Sequence, residues 1–222
     1  MVAASDTKSA MLAKIRDNLR TSEAFEHLYP HLAPAAIPTQ PVRAVIETRE
    51  LAVRFKTELE NIGGECHITA NEADAIARIR GVLRDIGAAT IAISDHPFLH
   101  LLRGSMDEIE LIENPSRADL FNRVDAGITG TQLAIAETGT LVLRSSSEAH
   151  RLVSLVPPVH ICLVSAADIV PTMFEALDEL KDVVDPAITF VTGPSRTSDI
   201  ELTLAIGVHG PKRLIVTLID RI

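Results

Sequence analysis

Ala89-Thr90-Ile91-Ala92-Ile93-Ser94 is a short uncharged, aliphatic run. It reads as a strand buried on both faces. Before it, residues 72–86 carry a helical pattern, with Asn71 placed to cap the start and Gly87 to stop it. After it, Asp95 and Pro97 make an N-cap and first-turn pair for a short helix. A buried strand between two helices is the repeating unit of a parallel sheet. This stretch sets the expected fold class: α/β, with a mostly parallel sheet covered by helices.

The same alternation extends in both directions. Upstream, residues 44–61 read as a helix stopped by Gly63 and Gly64, followed by a strand over 65–69. Downstream come a strand over 108–112 and a short helix over 116–122. The second half reads as a helix-like stretch from Thr131 to Ala136, strands over 140–144 and 159–164, a helix over 167–181, and strands over 187–192 and 213–219. Between the last two, Thr197, Asp199, Glu201 and Thr203 alternate with Ser198, Ile200, Leu202 and Leu204. That period of two argues for a strand with one polar face, and a short helix starting near Ser198 is the alternative.

The N-terminal part differs. Met11, Leu12, Ile15 and Leu19 recur at helical spacing over residues 6–20, where Asp6 or Thr7 can cap the start. Pro30, Pro34, Pro38 and Pro41 then mark a linker that cannot be helical throughout. The chain is expected to divide into a helix and proline-rich linker over 1–43 and one α/β domain over 44–222. The helix either packs on a partner or second subunit or folds back on its own domain.

Composition narrows the function classes. Hydrophobic residues make up 46% of the 222 but aromatics only 3%, so the core must be aliphatic. The net charge of −9 and the lack of a basic patch argue against nucleic acid as a partner. No apolar run approaches the length of a membrane span, and Met1 to Lys14 lacks an apolar signal core, so a cytoplasmic location is expected. Cys66 and Cys162 lie far apart and neither belongs to a CxxC pair. Iron–sulfur clusters need several thiolates, so no cofactor of that kind is expected in this chain, and both cysteines are expected to be reduced and buried.

Three loops can carry chemistry. The first is Glu137-Thr138-Gly139, leading into the strand at Thr140. The second, Gly193-Pro194-Ser195-Arg196-Thr197-Ser198-Asp199, directly follows a strand, where ligands gather in open α/β sheets. Its glycine permits close backbone approach, and Arg196 can grip a carboxylate or phosphate through two parallel bonds. The third is Gly207-Val208-His209-Gly210-Pro211. If these loops converge, Gly139, Thr140, Gly193, Ser195, Arg196, Thr197, Asp199 and Glu201 bind an anionic small molecule, with Glu137 or His209 as the proton carrier. The rival account is structural: Arg196 pairs with Asp199 or Glu201, and His209 holds a carbonyl. His96 and His100 are four residues apart without an evident third ligand, so no metal site is expected. Gly127-Ile-Thr-Gly130 is too short for a dinucleotide fingerprint.

The run Gly127-Ile-Thr-Gly-Thr-Gln-Leu-Ala-Ile-Ala-Glu-Thr-Gly-Thr-Leu-Val-Leu143 resembles the central signature of the LUD-domain family, of the lactate utilisation protein C type. Pro157-Pro158-Val-His160-Ile161 is similar to its next element, and Gly193–Glu201 with Gly207–Pro211 to its C-terminal signature. These matches cover about residues 124–219. The resemblance implies a three-layer fold similar to the NagB/RpiA/CoA transferase-like group. It also implies a part in a three-protein system oxidising L-lactate to pyruvate, whose other two members carry the iron–sulfur motifs.

Three functions compete at this point. One is an accessory subunit of that system, binding an anionic small molecule or the partners' redox modules. Another is an independent CoA-transferase-like or isomerase-like enzyme acting on a small organic acid or phosphosugar. In that reading Glu137-Thr-Gly139 resembles the turn that carries a nucleophilic glutamate in some CoA transferases, although their glycine-rich CoA-binding motif is missing. The last is a regulatory ligand-binding domain.

Overall fold

The computed structural model describes residues 9–17, 47–95, 99–103, 109–145, 151–198, 204–207 and 210–220. The chain divides into two compact units, Met1–Val45 and Ile46–Ile222. In the first, residues 9–17 form a helix, α1. The proline-rich segment expected as a linker lies outside the described residues.

The second unit is built on a six-stranded, wholly parallel sheet. Its strands are β1 (Glu65–Thr69), β2 (Thr90–Ile93), β3 (Glu110–Ile112), β4 (Ala126–Thr129), β7 (Val159–Ser165) and β12 (Arg213–Ile219), in the order β1-β12-β7-β4-β2-β3. Side chains alternate between the faces. On β7, Ile161 and Leu163 join the cluster under helix α3 (Glu72–Asp85), with Leu102 of α4 (His100–Arg103). Cys162 and Val164 point the other way, into the cluster beneath helix α2 (Thr48–Asn61). On that second face α5 (Arg117–Asn122) also packs, its Leu120 against Ala92. The unit is thus a three-layer α/β domain with helices on both faces.

Local signals explain the helix boundaries. The Asn71 side chain accepts a hydrogen bond from the Asp74 N–H at 2.9 Å, and Gly87 follows α3 at φ +66°. A reciprocal Ser116–Asp119 capping box starts α5. Among the described residues no helix is long and apolar enough to cross a membrane.

A second, four-stranded sheet is packed with α2. It contains β5 (Leu133–Ile135), β6 (Thr140–Arg144), β8 (Ile169–Val170) and β9 (Ile188–Val191), ordered β8-β5-β6-β9. Helix α6 (Met173–Leu180) covers its far side. Two sequence expectations are corrected here. The stretch Thr131–Ala136 is not helical: it contains β5, which turns back on β6 as an antiparallel hairpin. Gly139 makes that turn at φ +61°. The helix expected over 167–181 is shorter. Residues 166–168 form a 3-10 turn, β8 follows, and α6 begins only after Thr172 caps it. Pro171 accounts for the break, because the residue before a proline is driven to extended geometry.

The two ends of the ambiguous segment are strand: β10 (Arg196–Ser198) pairs antiparallel with β11 (Leu204–Ile206). Residues 199–203 lie outside the described residues.

Candidate functional site

Between the main sheet and the end of β9 lies a cavity of about 290 Å³. His160 of β7 and Leu214 of β12 contribute from the main sheet; Thr189 to Gly193 contribute from β9 and the residue positions just past it. Pro194, Ser195 and Arg196 form one wall, Gly210 and Pro211 another, and Ser154 and Leu155 a third. The second loop therefore follows a strand of the small sheet. The cavity opens near the N-terminal ends of β7 and β12 rather than at the carboxyl edge of the parallel sheet.

Register explains how these groups meet. Gly127 of β4, His160 of β7 and Leu214 of β12 are cross-strand neighbours in one row. His160 shares the face of Cys162 and Val164, so it projects away from α3. The 3-10 turn Arg151–Ser154 lies directly over Gly127, where an added Cβ would stand 2.9 Å from the Val153 carbonyl carbon and closer still to its oxygen. Only the missing side chain lets this turn carry Ser154 and Leu155 down beside His160.

His160 is wholly buried, at 0% exposure. Its Nε2 lies 2.8 Å from the Thr129 hydroxyl, while its Nδ1 has no hydrogen-bond partner among the described residues. Burial pushes its pKa down to about 4, so the ring is neutral at physiological pH. A neutral imidazole offers one donor and one acceptor nitrogen. The free nitrogen can meet either a carbonyl-type oxygen or a hydroxyl.

The anticipated site residues fall into distinct places. Gly193, Ser195 and Arg196 all line the cavity. The Ser195 N–H donates to the Pro211 carbonyl and its carbonyl accepts from the Gly207 N–H, both at 2.9 Å, which ties the second loop to the third. Arg196 donates to the Ile62 carbonyl at the end of α2. Thr140 lies behind the lining, its hydroxyl 2.8 Å from that of Thr192, which does line it.

Glu137 and Gly139 lie outside the lining. The Glu137 carboxylate accepts from the Met173 N–H at 3.3 Å, at the start of α6, and Gly139 packs against the backbone of α2 at Leu59. Asp199, Glu201 and His209 lie outside the described residues, as does the Thr197 side chain. His96 does too; His100 sits 4.0 Å from Asp95. Among the described residues no cluster of three or more His, Cys, Asp or Glu is placed to hold a metal.

His160 is the group that the sequence reading quoted in a motif without assigning it a role. Its one visible signal is a lone polar ring inside Val159-His160-Ile161-Cys162-Leu163-Val164, a run otherwise suited to a strand buried on both faces.

Fold and cavity together define a three-layer α/β domain with a small polar-ended cavity between two sheets. The chain belongs to the LUD-domain family, whose model matches residues 52–219. It is 36% identical over 191 residues to "Lactate utilization protein C" of Deinococcus radiodurans, covering 84% of this chain and 87% of that one. It is 39% identical over 114 residues to the protein of the same name in Bacillus subtilis, covering 49% of this chain and 46% of that one. The chain thus spans about half the length of several curated relatives it matches. A crystal structure of a DUF162 family protein from Deinococcus radiodurans superposes with a TM-score of 0.62 at 25% identity, covering 79% of this chain and 99% of that one.

Proposed function

We propose that this chain is a cytoplasmic accessory subunit of an L-lactate oxidation system, and that it binds an anionic small molecule in the cavity beside His160 and Arg196. The observation that carries this reading is the near full-length match to a protein named for lactate utilisation. The cavity supports it: it is small, and Arg196 is the one fully charged side chain among its described lining residues. Electron transfer then belongs to partner subunits holding iron–sulfur clusters. The two cysteines of this chain are both buried, and each is a cross-strand neighbour of Val216 on one side of the sheet. Two strand spacings separate them by roughly 10 Å, too far for a disulfide.

Deletion of the gene tests the role. Growth on L-lactate should fail and growth on sugars should continue, with rescue by the gene supplied in trans. Normal growth of the deletion on lactate, with no duplicate gene present, removes the proposal. The purified chain should also be colourless and free of bound iron; stoichiometric iron and sulfide in it would overturn the division of labour.

A further inference from the structure

Three buried side-chain atoms lack a hydrogen-bond partner among the described residues: Ser94 Oγ, Thr217 Oγ1 and His160 Nδ1. Of the three residues only His160 lines the cavity. An unsatisfied buried polar atom is unfavourable, and native proteins keep one chiefly where something else completes it. The Thr129 bond holds the other ring nitrogen, so Nδ1 has a fixed direction. The rest of the lining supplies what a small acid needs. Leu155, Val191 and Leu214 offer apolar contact, and Arg196 offers a planar fork matched to a carboxylate. The volume stands at the small end of the range for ligand pockets, which suits a compact acid and not an enclosed nucleotide.

We propose that the cavity recognises a short α-hydroxy- or α-oxocarboxylate, with Arg196 taking the carboxylate and His160 Nδ1 taking the α-oxygen. The inference rests on the lactate-utilisation reading and deepens it by naming the ligand class and the atom that selects it. The Thr129 hydroxyl matters indirectly. If it donates to Nε2, Nδ1 carries the proton and favours an oxo ligand, although a hydroxyl oxygen can also accept. If it accepts from Nε2, Nδ1 is the acceptor and favours a ligand hydroxyl. His160 is thus a specificity-determining residue, and Thr129 a positioning one.

The test uses the purified full chain with three probes: L-lactate, pyruvate, and propionate, which keeps the carboxylate but has no α-oxygen. Calorimetric titration should give binding of lactate or pyruvate about tenfold or more tighter than propionate, the worth of one well-placed hydrogen bond. His160→Gln keeps an amide near the Nε2 position and loses the group at Nδ1. It should reduce the favoured ligand to the propionate level and leave propionate unchanged. His160→Asn keeps a nitrogen near Nδ1 and should retain part of the discrimination.

Should either variant fail to fold, the wild-type imidazole decides. Its Nδ1 resonance should move on saturation with the favoured ligand and not with propionate. Equal affinity for all three acids, or an unmoved Nδ1 resonance, overturns the proposal, and so does an Nδ1 occupied by buried water alone. Loss of lactate growth in the deletion without acid binding sinks this inference and leaves the subunit role standing. Binding with normal growth of the deletion does the reverse.

Discussion

His160 Nε2 stands 2.8 Å from the hydroxyl of Thr129, a bond between neighbouring strands β7 and β4 inside the core. The two residues do not pair directly in register: Thr129 faces Cys162, and His160 faces Gly127. The bond is therefore diagonal, reaching from one register position on β7 to the next-but-one on β4. It turns an otherwise unaccommodated ring into a fixed wall of the cavity. In Thr129→Val the hydroxyl goes while the shape is nearly kept, leaving a second ring nitrogen unsatisfied. A loss of about 1–3 kcal/mol in urea unfolding is expected. An unchanged midpoint and slope would show that the bond contributes nothing.

The same residue makes stability depend on pH. In the unfolded chain His160 titrates near 6.5, and in the folded chain near about 4, because burial disfavours the charged ring. Above the unfolded value both states are neutral and the full stability is present. As pH falls between the two values, the unfolded state takes up a proton that the folded state refuses, so stability declines. The decline ends below the folded value. At about 1.4 kcal/mol per pKa unit, its full extent is roughly 3 kcal/mol. Unfolding measured at about pH 7 and about pH 5 should fall more steeply for the wild type than for His160→Gln. Equal declines would mean that other groups carry the whole effect.

Two glycines should respond to alanine in opposite directions. At Gly127 the new Cβ would press into the Val153 carbonyl, with no flexible side chain to yield. Gly127→Ala should cost on the order of 3 kcal/mol or more, or prevent folding. At Gly81, within α3, an added Cβ meets nothing within 4 Å. Gly81→Ala should stabilise by about 0.5–1 kcal/mol through lower unfolded-state entropy and better helix propensity. Thermal melts of the pair check both signs.

The main sheet was legible because burial on both faces leaves a plain trace. Ile91, Ile161 and Ile215 sit in aliphatic runs too short for helices and bounded by caps and glycines. In the small sheet β6 and β9 were legible in the same way, while β5 and β8 were not. Leu133-Ala134-Ile135 is three residues long and carries neither period clearly, so its pairing with β6 decides its conformation. The site was half legible for the same reason. Ser195 and Arg196 stand in a glycine-led loop that signals itself. His160 acquires its meaning from Thr129, 31 residues away, through a parallel register that no local spacing encodes.

Cys66 is buried, and burial pushes its thiol up to about 12 against a partial opposing pull from Lys56. At neutral pH it holds almost no thiolate, the form that reacts. Cys162 is buried as well, with its thiol donating to the Gly130 carbonyl at 3.2 Å. Iodoacetamide should leave both unmodified in the native protein and label both in denaturant. Native labelling of Cys66 at the rate of a free thiol would contradict its placement beneath α2.

Arg196 presents a sharper question, because it has a structural bond as well as a place in the cavity wall. It donates to the Ile62 carbonyl, and the missing side chain of Gly63 gives its guanidinium room. If that bond were its whole purpose, Arg196→Lys would lose one exposed contact, about 0.5–1.5 kcal/mol, and leave ligand affinity alone. If the guanidinium also grips a carboxylate, the lysine keeps the charge but loses the two-pronged geometry. Affinity should then fall about tenfold with only a small shift in melting temperature. The loss should be equal for L-lactate and propionate, since both carry the carboxylate. His160→Gln, by contrast, should affect only the ligand with an α-oxygen. Combining the two substitutions should give roughly additive losses for lactate if they hold separate ligand atoms. An Arg196→Lys protein that melts early yet binds both acids normally would assign this arginine to the end of α2 alone.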